Sequence, residues 1–137
     1  MSRQPENTFI ASVSRLIPVD LYRMKNHNQY VGGIADVWYS GKAKDLWVEY
    51  KFISVPKKDI TLIDLVSGNN PDISHLQQDW LRCRHSEGRN VAVIVGCKEG
   101  GVWLPKLAWA NPLNTAAFRV KIQSRAELAE IITSFVS

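Results

Sequence analysis

The chain has 137 residues, of which 45% are hydrophobic and 22% are charged, with 8 Gly and 6 Pro. This length fits one domain, and the composition is that of a globular chain with a buried core, so disordered, fibrous and repeat proteins are excluded. The 17 Lys and Arg residues exceed the 13 Asp and Glu residues, giving a net charge of +4. This excess favours a polyanionic partner without identifying it.

Neither a membrane span nor a signal peptide is predicted. No apolar run approaches the roughly 18 residues that a span requires, and the first residues lack a basic region followed by an apolar one. We therefore expect an intracellular protein with no membrane partner. The two cysteines, Cys83 and Cys97, are expected to be free thiols, and with His75 and His85 they fit no compact zinc-ligand spacing.

The first half of the chain predicts a helix followed by a hairpin. Apolar residues recur in helical phase over residues 6–17, and Pro18 ends the pattern. Residues 30–39 predict a strand with a bend at its Gly pair, and residues 45–53 predict a second strand. A turn of about five residues between them indicates an antiparallel hairpin.

The second half predicts a crossover and a final helix. Residues 54–70 form a long polar loop with room for a brief helix, and Asp72 or Ser74 caps a helix over 75–86 that ends at Gly88. Residues 91–95 read as a buried strand parallel to 45–53. Residues 101–104 and 117–122 predict short strands, and 125–136 a helix. The fold class is therefore α/β, with a mixed central sheet flanked by helices.

The strand over 45–53 has one wholly apolar face. Alternation places Trp47, Glu49, Lys51 and Ile53 on the other face, so two charged side chains point the same way between apolar neighbours. Asp36 interrupts the preceding strand and can face Glu49 across the hairpin. The pattern predicts a partly covered cluster of charge.

Two neighbouring carboxylates repel each other unless a proton or a cation lies between them. Asp36, Glu49 and the backbone carbonyl of Tyr50 offer oxygen ligands to a hard divalent ion, and Lys51 can hold or deprotonate a water or stabilise charge on a phosphate. Glu6 lies in phase with the inward side of the first helix. The alternatives are a cross-strand set of ion pairs and, for Glu6, an interaction with the helix dipole.

These residues resemble a known motif set. Glu6 on the first helix, G-x-x-D at 33–36 and E-x-K at 49–51 are similar to the PD-(D/E)xK nuclease superfamily, with Ala35 where the family has Pro. The resemblance implies a restriction-endonuclease-like core that cleaves nucleic acid with Mg²⁺ or Mn²⁺. It implies Asp36 and Glu49 as ligands, Glu6 as a carboxylate acting directly or through water, and Lys51 as the water-activating or charge-stabilising group.

The predicted helix over 75–86 adds a resemblance to one branch of this superfamily. Its first residues, together with Trp80 and Gly88, are similar to the VRR-NUC and Holliday-junction-resolvase-like branch, in which a Gln reaches the active site. Gln77 is the matching position and is favoured over Gln78, because it lies three residues after the capping Ser74. Short phage resolvases share the order Glu, Asp, E-x-K without this Gln.

The prediction is a single-domain, metal-dependent DNA endonuclease of the catalytic set Glu6, Asp36, Glu49, Lys51 and Gln77, acting on branched or structured DNA. A homodimer is expected, since two strands cut symmetrically need two sites. The alternatives are a restriction- or repair-type nuclease, a non-catalytic nucleic-acid-binding module and a partner-binding protein. Six cations are candidates for phosphate contacts, although each also fits a solvated surface charge: Lys42, Lys44, Lys57, Lys58, Arg82 and Arg84. For most of the 5 Trp residues, packing is the favoured role.

Overall fold

A five-stranded mixed sheet organises the computed structural model, which describes residues 4–26 and 32–137. The strands are β1 (Tyr22–Lys25), β2 (Val37–Ser40), β3 (Asp45–Phe52), β4 (Leu62–Ile63), β5 (Val91–Cys97), β6 (Gly100–Pro105) and β7 (Leu113–Asn114). The helices are α1 (Gln4–Ser14), α2 (His75–Ser86), α3 (Thr115–Lys121) and α4 (Arg125–Val136). The sheet order is β1-β2-β3-β5-β6, with β3 and β5 parallel and the other pairs antiparallel, while β4 and β7 form a separate ladder.

The sheet separates two apolar cores. One face is covered by α1 and α4, whose buried residues include Phe9, Val13 and Leu128. The other face is covered by α2, α3 and a short 3₁₀ turn, with Leu81 and Phe118 among the buried residues. Because both faces are covered at its centre, β5 has all seven residues buried.

The main features of the predicted architecture are confirmed. The strands β2 and β3 form the antiparallel hairpin, and Val37 lies opposite Val48. The β3–α2–β5 unit is the parallel crossover, and Ser74 is the residue that caps α2, where its hydroxyl accepts the backbone N–H of Gln77. Gly88 follows the helix with φ of +83°, a conformation that favours glycine.

The N-terminal boundaries differ from the prediction. The first helix ends at Ser14 and is followed by turns, although Ile17 is still buried. The predicted strand over 30–39 was wrong in its first half, because 32–36 is a turn and loop and β2 begins at Val37. Residues 30 and 31 lie outside the described residues. The edge strand β1 had no prediction, since its four residues are partly exposed and carry little pattern.

Two further predictions were wrong. Residues 117–122 are not a strand but belong mostly to α3, which starts because the Asn114 side chain accepts the N–H of Ala117 and because Phe118 is buried on one side of the helix. The loop over 54–70 contains β4 in place of a brief helix. The carbonyl of Thr61 accepts both the N–H and the hydroxyl of Thr115, at 2.9 and 2.8 Å, and this anchors the loop to α3.

In the ranges that the structure describes, no helix combines the length and the apolar character needed to cross a bilayer.

Candidate active site

The centre of the site is the face of β3 that carries Glu49 and Lys51. Glu49 is 1% exposed, although a carboxylate is seldom buried so deeply without compensation. The ammonium of Lys51 lies 3.3 Å from Glu49 Oε2, and its side chain is 13% exposed. The alternation read from the sequence therefore does bring these two charges together in a covered place.

Asp36 enters the site from the start of the neighbouring strand. The β2–β3 ladder begins at the pair Val37–Val48, so Tyr50 lies beyond its end. The N–H of Tyr50 donates instead to Oδ2 of Asp36, at 2.8 Å. The N–H and carbonyl of a strand residue point to the same neighbouring strand, so the Tyr50 carbonyl is directed toward this side as well.

Gly33 lets the loop before Asp36 approach α2 closely. Its φ is +89°, and a Cβ atom at this position would lie 2.6 Å from the carbonyl oxygen of Leu76. Both the conformation and the space require glycine. The Gly of G-x-x-D therefore packs the loop against the first turn of α2, and this fixes the approach of Asp36 to β3.

Burial and the neighbouring charges of the site act together on the pKa of Glu49. Burial is the largest cause that raises the pKa of its carboxyl well above the usual range, and the charges of Asp36 and Glu6 raise the pKa further, while Lys51 lowers it. Lys51 is the charged neighbour of Glu49, and neither carboxylate oxygen has a hydrogen-bond partner within the described ranges. Such a group is stable only with a proton or a further cation.

The donor set fits a hard divalent ion that keeps part of its water shell. Asp36 and Glu49 supply carboxylates and Tyr50 supplies a backbone carbonyl, which are the oxygen ligands that Mg²⁺ prefers. No group of three or more His, Cys, Asp or Glu residues with metal-ligating geometry occurs in the part of the chain that is described. Mg²⁺ is commonly held by one or two carboxylates, with water and substrate phosphate completing its shell, so this smaller set is compatible with it.

Glu6 lies in the first turn of α1 and is half-buried. Its charge acts on Glu49, so the first helix does bring this carboxylate toward the site. Whether it serves as a ligand stays a prediction.

The two glutamines of α2 have different surroundings. Gln77 belongs to a capping box, in which its Oε1 accepts the N–H of Ser74 at 2.9 Å. Gln78 is the buried one, and its Nε2 donates to the carbonyls of Val66 and Ile73, at 3.1 and 2.8 Å. These contacts hold the start of α2, and the catalytic role of Gln77 stays a prediction.

The six candidate phosphate-binding cations lie in three places. The turn between β2 and β3 carries Lys42 and Lys44, and the loop after β3 carries Lys57 and Lys58, all four of them exposed. On α2, the guanidinium of Arg82 lies over the ring of Trp109. On the same helix, the guanidinium of Arg84 lies over Trp80 and pairs with Glu87 at 3.2 Å. Their contacts with phosphate stay predictions.

A buried pair of tyrosines behind the site was not predicted from the sequence. The hydroxyls of Tyr39 and Tyr50 lie 2.6 Å apart, and both side chains are fully buried. Burial is the main cause that raises the pKa of Tyr39 to about 12. Alternation places both rings on the apolar face of the hairpin, but it does not reveal that their hydroxyls meet.

Comparisons with known proteins identify the fold. No family model and no curated protein matches the sequence. Among solved structures, the chain is similar to Hjc of Archaeoglobus fulgidus, a Holliday junction resolvase from an archaeal hyperthermophile, with 11% identity and a TM-score of 0.53. The match covers 90% of this chain and 99% of that one. The chain therefore has the mixed α/β fold of this resolvase, which confirms the fold class that the sequence predicts.

Proposed function

We propose that this protein is a divalent-metal-dependent DNA endonuclease that acts on branched or otherwise structured DNA. The observation that carries the proposal is the Glu49 carboxylate, which is 1% exposed, makes no hydrogen bond to the described residues and lies beside Lys51 at the end of a hairpin that also presents Asp36. A stability role alone does not explain a buried carboxylate with so few partners. The resolvase-like fold supports a nucleic-acid substrate.

In this proposal, Asp36, Glu49 and the Tyr50 carbonyl hold Mg²⁺ or Mn²⁺, with Glu6 contributing directly or through a water. The bound ion supplies Lewis-acid polarisation of a phosphate oxygen and lowers the pKa of a water. Lys51 supplies a positive charge that stabilises the phosphate as negative charge develops on it, or orients the attacking water. The N–H of Tyr50 keeps the Asp36 carboxylate oriented toward the site.

Cleavage of DNA tests the chemistry. The protein is incubated with supercoiled, linear and four-way-junction DNA in Mg²⁺, Mn²⁺ or EDTA, and cleavage of the junction is expected only with metal. Lys51→Ala removes the charge beside Glu49, so we expect a rate loss of about 10²-fold or more. Lys121→Ala, at an exposed lysine at the end of α3, is the matched control and should keep the rate. Cleavage that persists in EDTA or in Lys51→Ala contradicts the proposal.

Binding of the ion can be measured separately from DNA cleavage, through the unfolding temperature. An ion at about 100 times its dissociation constant stabilises the fold by about 2.7 kcal/mol, which raises the unfolding temperature by roughly 10 °C for a chain of this size. We expect this rise with Mg²⁺ or Mn²⁺ for the unchanged protein and its loss in Glu49→Gln. A calorimetric titration without heat of binding, together with DNA binding but no cleavage, would favour the non-catalytic module instead.

A homodimer completes the proposal, because one site cuts one strand and a symmetric product needs two sites. Light scattering is expected to give twice the chain mass, with paired cuts across the junction. A strict monomer that nicks a single strand contradicts this part.

A further inference from the structure

Four aromatic side chains form a row across the sheet face that carries the candidate site. Neighbouring rings lie 5.4 Å apart for Tyr22–Trp38, 6.0 Å for Trp38–Trp47 and 5.2 Å for Trp47–Trp80. Tyr22 is 60% exposed and the three tryptophans are half-buried, whereas Trp109 is fully buried in the core. This aromatic row keeps part of its surface in water, so packing accounts for only part of it.

A cleft of about 530 Å³ adjoins the aromatic row, between the β2–β3 turn and the turn from α2 to β5. Trp38 and Trp47 form its aromatic wall. Its lining includes three exposed cations: Lys42, Lys44 and Arg89. The acid in its lining, Asp45, accepts a hydrogen bond from the hydroxyl of Ser40 at 2.9 Å. The volume falls within the range of about 300–1,000 Å³ that is typical of ligand sites.

Aromatic faces beside cations are the combination that binds single-stranded nucleic acid. Unpaired bases stack on the rings and the cations hold the phosphates, whereas bases inside a duplex have no free face to offer. We propose that this cleft and the aromatic row bind the unpaired nucleotides of a branched DNA strand, with bases against Trp38 and Trp47 and phosphates against Lys42 and Arg89. The proposal rests on the proposed action on DNA and names the feature of the substrate that is recognised.

The position of the cleft connects it to the candidate site. Trp47 precedes Glu49 by two residues on β3 and points to the same face, and two residues of a strand span about 7 Å. A strand that lies along the cleft therefore leads toward the carboxylates. This arrangement gives a physical reason for acting on flapped, forked or bulged DNA, because unpaired nucleotides occur in these structures and are absent from a perfect duplex.

Charge favours nucleic acid over a second copy of the chain as the occupant. In a twofold dimer the same patch meets itself, so Lys42 and Arg89 of one copy would approach the same cations of the other. Like charges facing each other across an interface are unfavourable, whereas a polyanion is complementary to them.

Tryptophan fluorescence tests the proposal without nuclease activity. The full chain in EDTA is titrated with an oligothymidylate of about 12 nucleotides and with a blunt duplex of the same length. We expect saturable quenching by the single strand, weakened by added salt, and at least about tenfold weaker binding of the duplex. Trp38→Leu should lower the affinity for the single strand about 5- to 150-fold, the range that the loss of one stacked base implies.

Two further variants sharpen the test. Lys42→Glu reverses the charge of an exposed side chain, so it should fold normally, and we expect weaker binding and a smaller salt dependence. Trp103→Phe is the matched control, because Trp103 packs against Phe135 of α4 on the opposite side of the sheet. This control should keep the unchanged affinity. Circular dichroism establishes that each variant is folded, and if Trp38→Leu does not fold, Lys42→Glu decides.

Each outcome has a definite meaning. Equal affinity for single strand and duplex overturns the proposal, as does unchanged affinity in Trp38→Leu and Lys42→Glu. Conversion of a dimer to a monomer by Trp38→Leu, with no change in affinity, also overturns it and assigns the row to a subunit interface. If no DNA is cleaved with any metal while the selective quenching is present, the catalytic function fails and the binding cleft stands.

Discussion

The buried Tyr39–Tyr50 pair yields a stability prediction that follows directly from its contacts. The two hydroxyls are 2.6 Å apart, and both side chains have 0% exposure, so neither hydroxyl can turn to water. The side chain of Ser14 also acts on the Tyr39 hydroxyl as a second neighbour and lowers its pKa. For Tyr50, the Tyr39 hydroxyl is the hydrogen-bond partner within the described residues. The two tyrosines are therefore not equivalent.

The different surroundings of the two tyrosines determine how much stability each substitution is expected to cost. Tyr39→Phe leaves the Tyr50 hydroxyl buried without a partner, which costs about 1–3 kcal/mol, or roughly 4–12 °C in the unfolding temperature. Tyr50→Phe leaves Tyr39 with Ser14, so the loss is that of one hydrogen bond, about 1 kcal/mol. In the double variant no orphaned Tyr50 hydroxyl is left, so its total loss should be no larger than that of Tyr39→Phe alone.

Urea denaturation in EDTA measures the three free energies of unfolding, and equal dependence on urea shows that the folded states have similar compactness. Tyr22→Phe, at a side chain that is 60% exposed, is the control and should change stability by less than about 0.5 kcal/mol. The reasoning is refuted if Tyr50→Phe is the more damaging single change. It is also refuted if the two single losses add within about 0.5 kcal/mol, which is the behaviour of independent sites.

Two other predictions concern the site itself. Gly33→Ala should destabilise the fold by about 1–3 kcal/mol more than Gly68→Ala. Both glycines have φ near +90°, but of the two only Gly33 lies against the Leu76 carbonyl. Equal losses of stability in urea denaturation contradict this prediction. The pKa of Glu49 is raised in the folded protein, so in EDTA the unfolded chain loses this proton first, near the ordinary value of 4.5. The free energy of unfolding therefore falls as the pH rises above that value, until the folded group ionises too. Glu49→Gln should remove that decline from the curve of unfolding temperature against pH, and parallel curves for the two proteins refute it.

The sequence predicted those parts of the site that depend on a pattern within one strand or hairpin. Alternation in β3 located Glu49 and Lys51 on one face, because side chains of a strand change sides at every residue. The antiparallel hairpin then placed Asp36 near Glu49. The catalytic roles of all three remain predictions, since the fold alone does not test them.

Other features depend on contacts between distant segments. Residues 117–122, most of which lie in α3, were predicted as a strand because they include apolar and β-branched residues such as Val120 and Ile122. The Asn114 cap outweighs that propensity. The choice between Gln77 and Gln78 rested on spacing from Ser74. That spacing predicts a capping box equally well, and a capping box is the role in which Gln77 is found. A local pattern cannot separate two roles that share the same spacing.

The strand β3 also explains why stability and the proposed chemistry are coupled. Its apolar face seats Tyr50 in one core, while the same residue's N–H orients Asp36. Its other face buries Glu49 beside the ammonium of Lys51, and among the described residues no hydrogen-bond donor satisfies its two oxygens. A shift of one residue in register would exchange these faces and place Glu49 in the apolar core, so the pairing with β2 and β5 is strongly specified. The same pairing that keeps the register therefore also keeps the carboxylate short of partners among the described residues, a condition that a proton or the divalent cation of the proposed function would relieve.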